Sequence, residues 1–169
     1  MTNITYVDSS DKIIGYGSRD EAINDGIIHR IVRLLVFNSN GEILIQKRSH
    51  KVKMPNKWDQ SAGGHVDEGE GYEAAGKREL LEEMGIETDN ISFITKFYTE
   101  KRDSDGVTRR FNSLFALHGY DGKITVDNDE VSGYKWISPE KLARWMSERP
   151  EDFTAGFLKT YDEYTNLKS

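Results

Sequence analysis

Residues 64–86 read GHVDEGEGYEAAGKRELLEEMGI, and the reading of the chain turns on this stretch. Its core, KRELLEEMG from Lys77 to Gly85, places glutamates at 79, 82 and 83. On a helix, residues three and four apart share a face, so the three carboxylates crowd together. Like charges at that spacing repel by roughly a few tenths of a kcal/mol per pair. Either the helix is a plain solvated one or a cation offsets the repulsion. EGYEAAGKRELLEEMG has helical patterning and ends on Gly85, the expected C-terminal residue. Residues 64–86 carry seven acids and two bases, which is −5 of the chain's formal −6. The remainder is nearly balanced, so the negative potential is local, as a cation site requires.

Working outward, 169 residues suit a single domain, 1–169, with a real core. Apolar residues make up 36% and aromatics 11%, enough to fold without staples. There is no cysteine, which excludes a disulfide framework and thiolate chemistry and agrees with a reducing compartment. No charged segment precedes an apolar run, and no apolar stretch approaches membrane length. The expectation is a cytoplasmic protein with no membrane partner. The acidic balance argues against nucleic acid as a partner.

Along the chain, ITYVDSSDKIIGYG predicts a β-hairpin over about 4–17. SRDEAIND predicts a short helix with Ser18 as N-cap and Glu21 completing a capping box. HRIVRLLVF is a buried strand, NSNG a hairpin turn, and EILIQKR the returning partner. SHKVKMPNK is a basic loop, and WDQSAGGHV one short strand ending at Gly63-Gly64. ISFITKFYTEKR and VTRRFNSLFALHGY are two strands joined by DSDG, and GYKWI is a further one. C-terminal helices are expected over about 138–167, the first opened by Ser138 and Pro139. Mixed strands and separated helices imply an α+β fold.

Gly64, Glu70, Arg78, Glu79, Leu80, Glu82, Glu83, Gly85 and Ile86 occupy every defined position of the Nudix box. A chance match is on the order of one in a million per chain. The chain is therefore identified as resembling the Nudix hydrolases. The resemblance implies a mixed β-sheet sandwiched between helices, an α/β/α arrangement. It also implies Mg²⁺- or Mn²⁺-dependent cleavage of a phosphoanhydride bond in a nucleoside diphosphate derivative or nucleotide. Carried over by position, Glu82 and Glu83 would be metal ligands, and Glu79 a ligand or the general base. Glu130 sits where a further acidic ligand often lies, with Glu100 a weaker rival. The chemistry suits the residues, because hard divalent cations take several oxygen ligands. Gly64 lets the backbone approach and offers its carbonyl. Arg78 is suited to hold Glu70 by a bidentate pair, orienting rather than reacting.

Other stretches, HR at 29–30, LIQKRS at 44–49 and KWDQSAGGH at 57–65, are similar to isopentenyl diphosphate isomerases. That activity needs a cysteine before the box, where this chain has Gly63. It also needs a glutamate pair on a later strand, where RRFNS (109–113) has no acid. His29 and His65 remain, either as ligands or as structural hydrogen-bonders. The reading is a hydrolase on an isomerase-like frame. The alternatives are the isomerase itself and a non-catalytic nucleotide-binding module.

For a small nucleotide or diphosphate substrate, the candidate contacts are Arg48, Lys57, Arg110 and, by stacking, Trp58. Phe111 is a further aromatic candidate. Lys47, Lys51, Lys53, Arg102 and Arg109 are ordinary surface bases unless they converge near the box. The oligomeric state is open, since the tail helix could pack on its own domain or on a homodimer partner.

Overall fold

In the computed structural model, which describes residues 2–168, the chain runs β1 (Ile4–Val7), β2 (Ile13–Gly17), α1 (Arg19–Asp25), β3 (Ile28–Val36) and β4 (Ile43–Arg48). It continues through β5 (Trp58–Asp59), β6 (Ala62–His65), α2 (Tyr72–Met84), β7 (Ser92–Asp103), β8 (Gly106–Leu117) and β9 (Val131–Ile137). Helix α3 (Pro139–Glu148), a 3₁₀ turn at Pro150–Asp152 and α4 (Ala155–Lys168) close it. One sheet has the order β2-β1-β3-β8-β7, with β6 also paired to β3. A second has the order β5-β4-β9.

β3 organises the layers. It pairs in parallel with β8 from Ile28↔Arg109 to Val36↔Leu117. Side chains alternate across a strand. Val32, Leu34 and Val36 therefore pack under α2 with Leu80 and Met84, whereas Leu35 and Phe37 join α3 and α4 through Leu142, Phe157 and Tyr161. Both faces of β3 are covered, which explains its unbroken apolar run. The α/β/α sandwich implied by the box is the observed architecture.

Several local signals act as read. Ser18 accepts from Glu21 N at 3.0 Å, and Ser138 from Lys141 N at 3.3 Å. Gly85 caps α2 in the left-handed region at φ 67°, where a side chain would be strained. β7 and β8 pair along their length, with Asp103↔Gly106 nearest the turn.

Two expectations are corrected. β4 is not the hairpin partner of β3; beyond a single bridge, Phe37↔Ile43, it pairs with β5 and β9. The turn itself forms, with Asn38 Oδ1 accepting from Asn40 N and Glu42 N. However, β8 takes one edge of β3, and β1 and β6 share the other. The chain therefore turns into the second sheet. WDQSAGGHV is likewise two strands: Trp58–Asp59 pairs with β4, and Ala62–His65 pairs with β3. Ser61 bridges the sheets at this corner, donating to Leu44 O at 2.6 Å and accepting from Val36 N at 2.8 Å.

Candidate active site

α2 approaches β3 closely because Gly76 has no side chain. A Cβ there would meet Val32 and Ile91 at 3.2–3.3 Å. The helix buries Ala75, Gly76, Glu79, Leu80, Glu83 and Met84. Of the glutamates at 79, 82 and 83, Glu79 and Glu83 thus lie on the inward face, 8% and 7% exposed. Gly64 on β6 faces Glu79, and a Cβ at that position would collide with its carboxylate. Glu83 Oε1 accepts from Gly63 N at 2.9 Å.

Arg78 gathers the acids from the exposed side. Its Nε donates to both Glu70 oxygens at 3.1 and 3.2 Å. Its Nη1 reaches Glu79 at 2.9 Å and Glu82 at 3.2 Å, and Nη2 donates to His65 O at 3.0 Å. Glu70 Oε1 also accepts from Asp67 N at 2.9 Å, pinning the loop before α2. Asp127 N donates to Glu83 O at 3.1 Å, which holds the turn carrying Glu130 beside the helix.

These groups open on a cavity of about 350 Å³ whose wall includes Gly64, His65, Asp67, Glu79, Glu82 and Glu130. Glu83 lies behind that wall on Gly63. Burial pushes the Glu79 carboxyl up to about 7; Arg78 opposes the shift, while Glu82 and Glu130 add to it. Burial, then the neighbouring Glu79, holds Glu83 well above the usual carboxylate range, against the Gly63 N–H. Among the described residues, no three acidic or imidazole groups form a ready-made metal cage. The donor set nevertheless fits a hard divalent cation that keeps several waters: buried carboxylates short of positive charge, beside exposed ones.

A divalent cation held by these carboxylates would have a pH-linked effect. Glu79 binds a proton in the folded chain up to about pH 7, but in the unfolded chain only to about 4.5. Its ionisation therefore lowers stability as pH rises through that window. His29, held down to about 4 by burial, acts in the opposite sense between about 4 and 6.5. The shift in Tm on adding Mg²⁺ isolates the carboxylates, because cation binding requires them ionised. That shift is expected to be small at pH 5.5 and several degrees at pH 8 by differential scanning fluorimetry. A shift independent of pH would contradict it.

A second cavity, about 770 Å³, adjoins the first and shares Arg19, Gly63, Gly64 and His65 with it. Arg48 and Arg110 line it, as does Glu100, which is paired with Arg109 at 2.8 Å. Arg48 is also tied to Asp59 at 3.2 Å and to Lys53 O at 2.7 Å. Lys57 and Trp58 lie elsewhere. Lys57 Nζ donates to Glu151 O, and Trp58 packs edge-on against Trp145 at 5.7 Å with Lys47 and Lys135 over its ring. The second sheet turns both away from the cavities. Phe111 packs edge-on against Tyr98 at 5.5 Å. Lys51 pairs with Asp129 at 2.7 Å.

Arg19 and Arg33 line this cavity too and were not among the expected contacts. Arg33 had a signal, a charge between the apolar residues Val32 and Leu34 of a buried strand, which is costly without a purpose. Arg19 had none, because in a capping-box helix it looks like surface.

A NUDIX domain model matches residues 28–157. A prenyl-diphosphate phosphatase of Methanosarcina mazei is 31% identical over 166 residues, covering 95% of each chain. An isopentenyl-diphosphate Delta-isomerase of Burkholderia multivorans is 30% identical over 152 residues, covering 89% of this chain and 86% of its own. The crystal structure of DR0079 from Deinococcus radiodurans is similar at TM-score 0.72 and 27% identity, covering 86% and 89% of the two chains. With its carboxylate helix, its sandwich and these relatives, the chain belongs to the Nudix hydrolase family, in the branch near isopentenyl-diphosphate isomerase.

Proposed function

We propose that the protein hydrolyses a phosphoanhydride bond of a nucleoside diphosphate derivative or a nucleotide, with Mg²⁺ or Mn²⁺ as cofactor. The observation that carries this reading is the juxtaposition of two cavities. One is walled by Glu79, Glu82 and Glu130, and the other by Arg33, Arg48 and Arg110, with Gly64 and His65 in both. That arrangement would suit a cation beside a polyanion.

Glu79, Glu82, Glu83, Glu130 and the Gly64 carbonyl would hold the cation. When bound, it supplies positive charge to the phosphate oxygens and acidifies water. Glu79 either shares in that or accepts the proton of the attacking water, a task suited to a carboxyl tuned near neutrality. Arg78 keeps Glu70, Glu79 and Glu82 in place and does not itself react. The leaving phosphate would be received by the bases of the larger cavity.

The relatives' names favour a second substrate class for the same hydrolysis, an isoprenoid diphosphate. Ile23, Ile31, Val52, Met54 and Phe97 on the larger cavity would receive an apolar chain. Isomerisation is disfavoured at Gly63, because a Cβ there would sit 2.9 Å from Val32 O, which is backbone and cannot step aside cheaply. The test is a product screen: nucleotides, dinucleotides and isoprenoid diphosphates, each with and without Mg²⁺. Mg²⁺-dependent release of phosphate or a nucleoside monophosphate supports hydrolysis. Double-bond migration without phosphate release, or binding with no product from any substrate, overturns it.

A further inference from the structure

The charges facing the larger cavity do not balance. Arg48 is matched by Asp59, Lys53 by Asp105, Lys101 by Asp103 and Lys159 by Glu163. Among the described residues, no carboxylate pairs with Arg19, Arg33 or Arg110. The Arg33 guanidinium is buried and hydrogen-bonds only neutral acceptors, Asn112 Oδ1 at 2.9 Å and Gln60 Oε1 at 3.1 Å; the carboxylate that acts on it from nearby, Asp59, is already held by Arg48 at 3.2 Å. It also lies against the first turn of α4, where a Cβ on Gly156 would stand 3.0 Å from both terminal nitrogens. A helix N-terminus adds positive potential there rather than relieving it. Arg110 reaches only His29 Nε2, at 3.4 Å, and Arg19 Nε is buried without a partner. Buried cations are normally paired, because desolvating an unpaired charge is costly.

The two imidazoles belong to this cluster. His29 and His65 stack with centroids 5.5 Å apart. His29 Nδ1 donates to Ile27 O at 3.1 Å, which leaves Nε2 to accept from Arg110. His65 Nε2 is buried with no partner. One imidazole lone pair is thus already used by a guanidinium, and three cations surround the pair. A metal ion here would be repelled, whereas an anion would meet three guanidiniums and, in the Nε2–H tautomer, a free donor on His65.

We propose that Arg19, Arg33, Arg110 and His65 Nε2 form a metal-independent receptor for a terminal phosphoryl group. The protein would then prefer substrates ending in a free diphosphate over those capped at both ends. The charge decides the class. A terminal phosphate carries about −1.5 to −2 at neutral pH, against about −1 for a phosphate esterified on both sides. Three unpaired guanidiniums match the former. The site adjoins the carboxylate cavity through Gly63 and Gly64, so a terminal phosphate seated here leaves the next P–O–P linkage beside Glu79. The substrate preference rests on the hydrolase reading; the anion site does not.

Calorimetric titration with inorganic pyrophosphate in EDTA tests the site without turnover. Wild-type protein is expected to bind it. Arg110→Gln and Arg19→Gln should each weaken binding at least about tenfold, with Arg110→Lys recovering part of the loss. Arg19 lies in the first turn of α1, so its variant decides the matter if Arg110→Gln does not fold. Pyrophosphate binding that requires Mg²⁺, or wild-type affinity in a folded variant, overturns the proposal. With Mg²⁺ present, the kcat/KM ratio of a nucleoside diphosphate to its sugar-capped derivative should fall at least about tenfold in Arg19→Gln. An unchanged ratio overturns the preference. If the product screen yields nothing, the EDTA titration still reports on the site, so the two readings fail separately.

Discussion

Glu83→Gln is expected to lower kcat by at least about 10³-fold while the protein stays folded. The amide keeps the size of the side chain and can still accept from Gly63 N through its oxygen, so the bond at 2.9 Å survives. The carboxylate's charge is lost. Without a cation that loss costs little, because burial and the neighbouring Glu79 already disfavour the charged form. Thermal stability in EDTA should therefore equal or exceed that of wild type, while the Mg²⁺-induced rise in Tm largely disappears. That pairing, lost turnover with retained metal-free stability, separates a ligand from a structural residue. Turnover near wild type in the variant, measured as Mg²⁺-dependent product release, would remove Glu83 from the site.

Arg78→Lys should be nearly as damaging, by another route. The guanidinium serves Glu70 through Nε and Nη2, Glu79 and Glu82 through Nη1, and the His65 carbonyl through Nη2. Lysine offers a single point charge and cannot span that set. Glu79, mostly buried, would lose its hydrogen bond to Nη1, and Glu70 would lose the bidentate partner that fixes the loop at Asp67. Breaking a fully buried pair costs about 3–5 kcal/mol. With the Arg78 side chain 26% exposed, roughly 2–3 kcal/mol is a fair expectation after solvent screening. Urea unfolding measures this, together with a fall in kcat of about 10²-fold as Glu79 loses its orientation. A variant with normal stability and rate would mean that Arg78 is a solvent-exposed bystander.

The helix that carries the carboxylates, its closure at Gly85, the caps at Ser18 and Ser138, and the β7–β8 hairpin were all legible along the chain. The helix and its caps rest on contacts between residues a few positions apart, and the hairpin on a short polar turn at Asp103–Gly106, where backbone geometry follows from residue type. The local negative potential was legible for the same reason, being concentrated in residues 64–86. The partner of β3 was not. A well-formed turn at Asn38–Gly41 suggested β4, but the edges of β3 are taken by strands remote in sequence. Trp58 and Lys57 were candidate substrate contacts by residue type, a ring that can stack and a base that can grip phosphate, and the tertiary structure engages them instead with Trp145 and the Glu151 carbonyl.

Chemistry that depends on spacing within one helix could be read directly from residue order: an acidic face and the family it announces. Which of the remaining bases stand unpaired could not. Arg33 and Asn112 are 79 positions apart, and Arg19 and Arg110 come from α1 and β8. They share a cavity only because β3 runs in parallel beside β8 while α1 and β6 flank them. Whether a charge is neutralised depends on every neighbour in three dimensions, and long-range pairing alone chooses those neighbours.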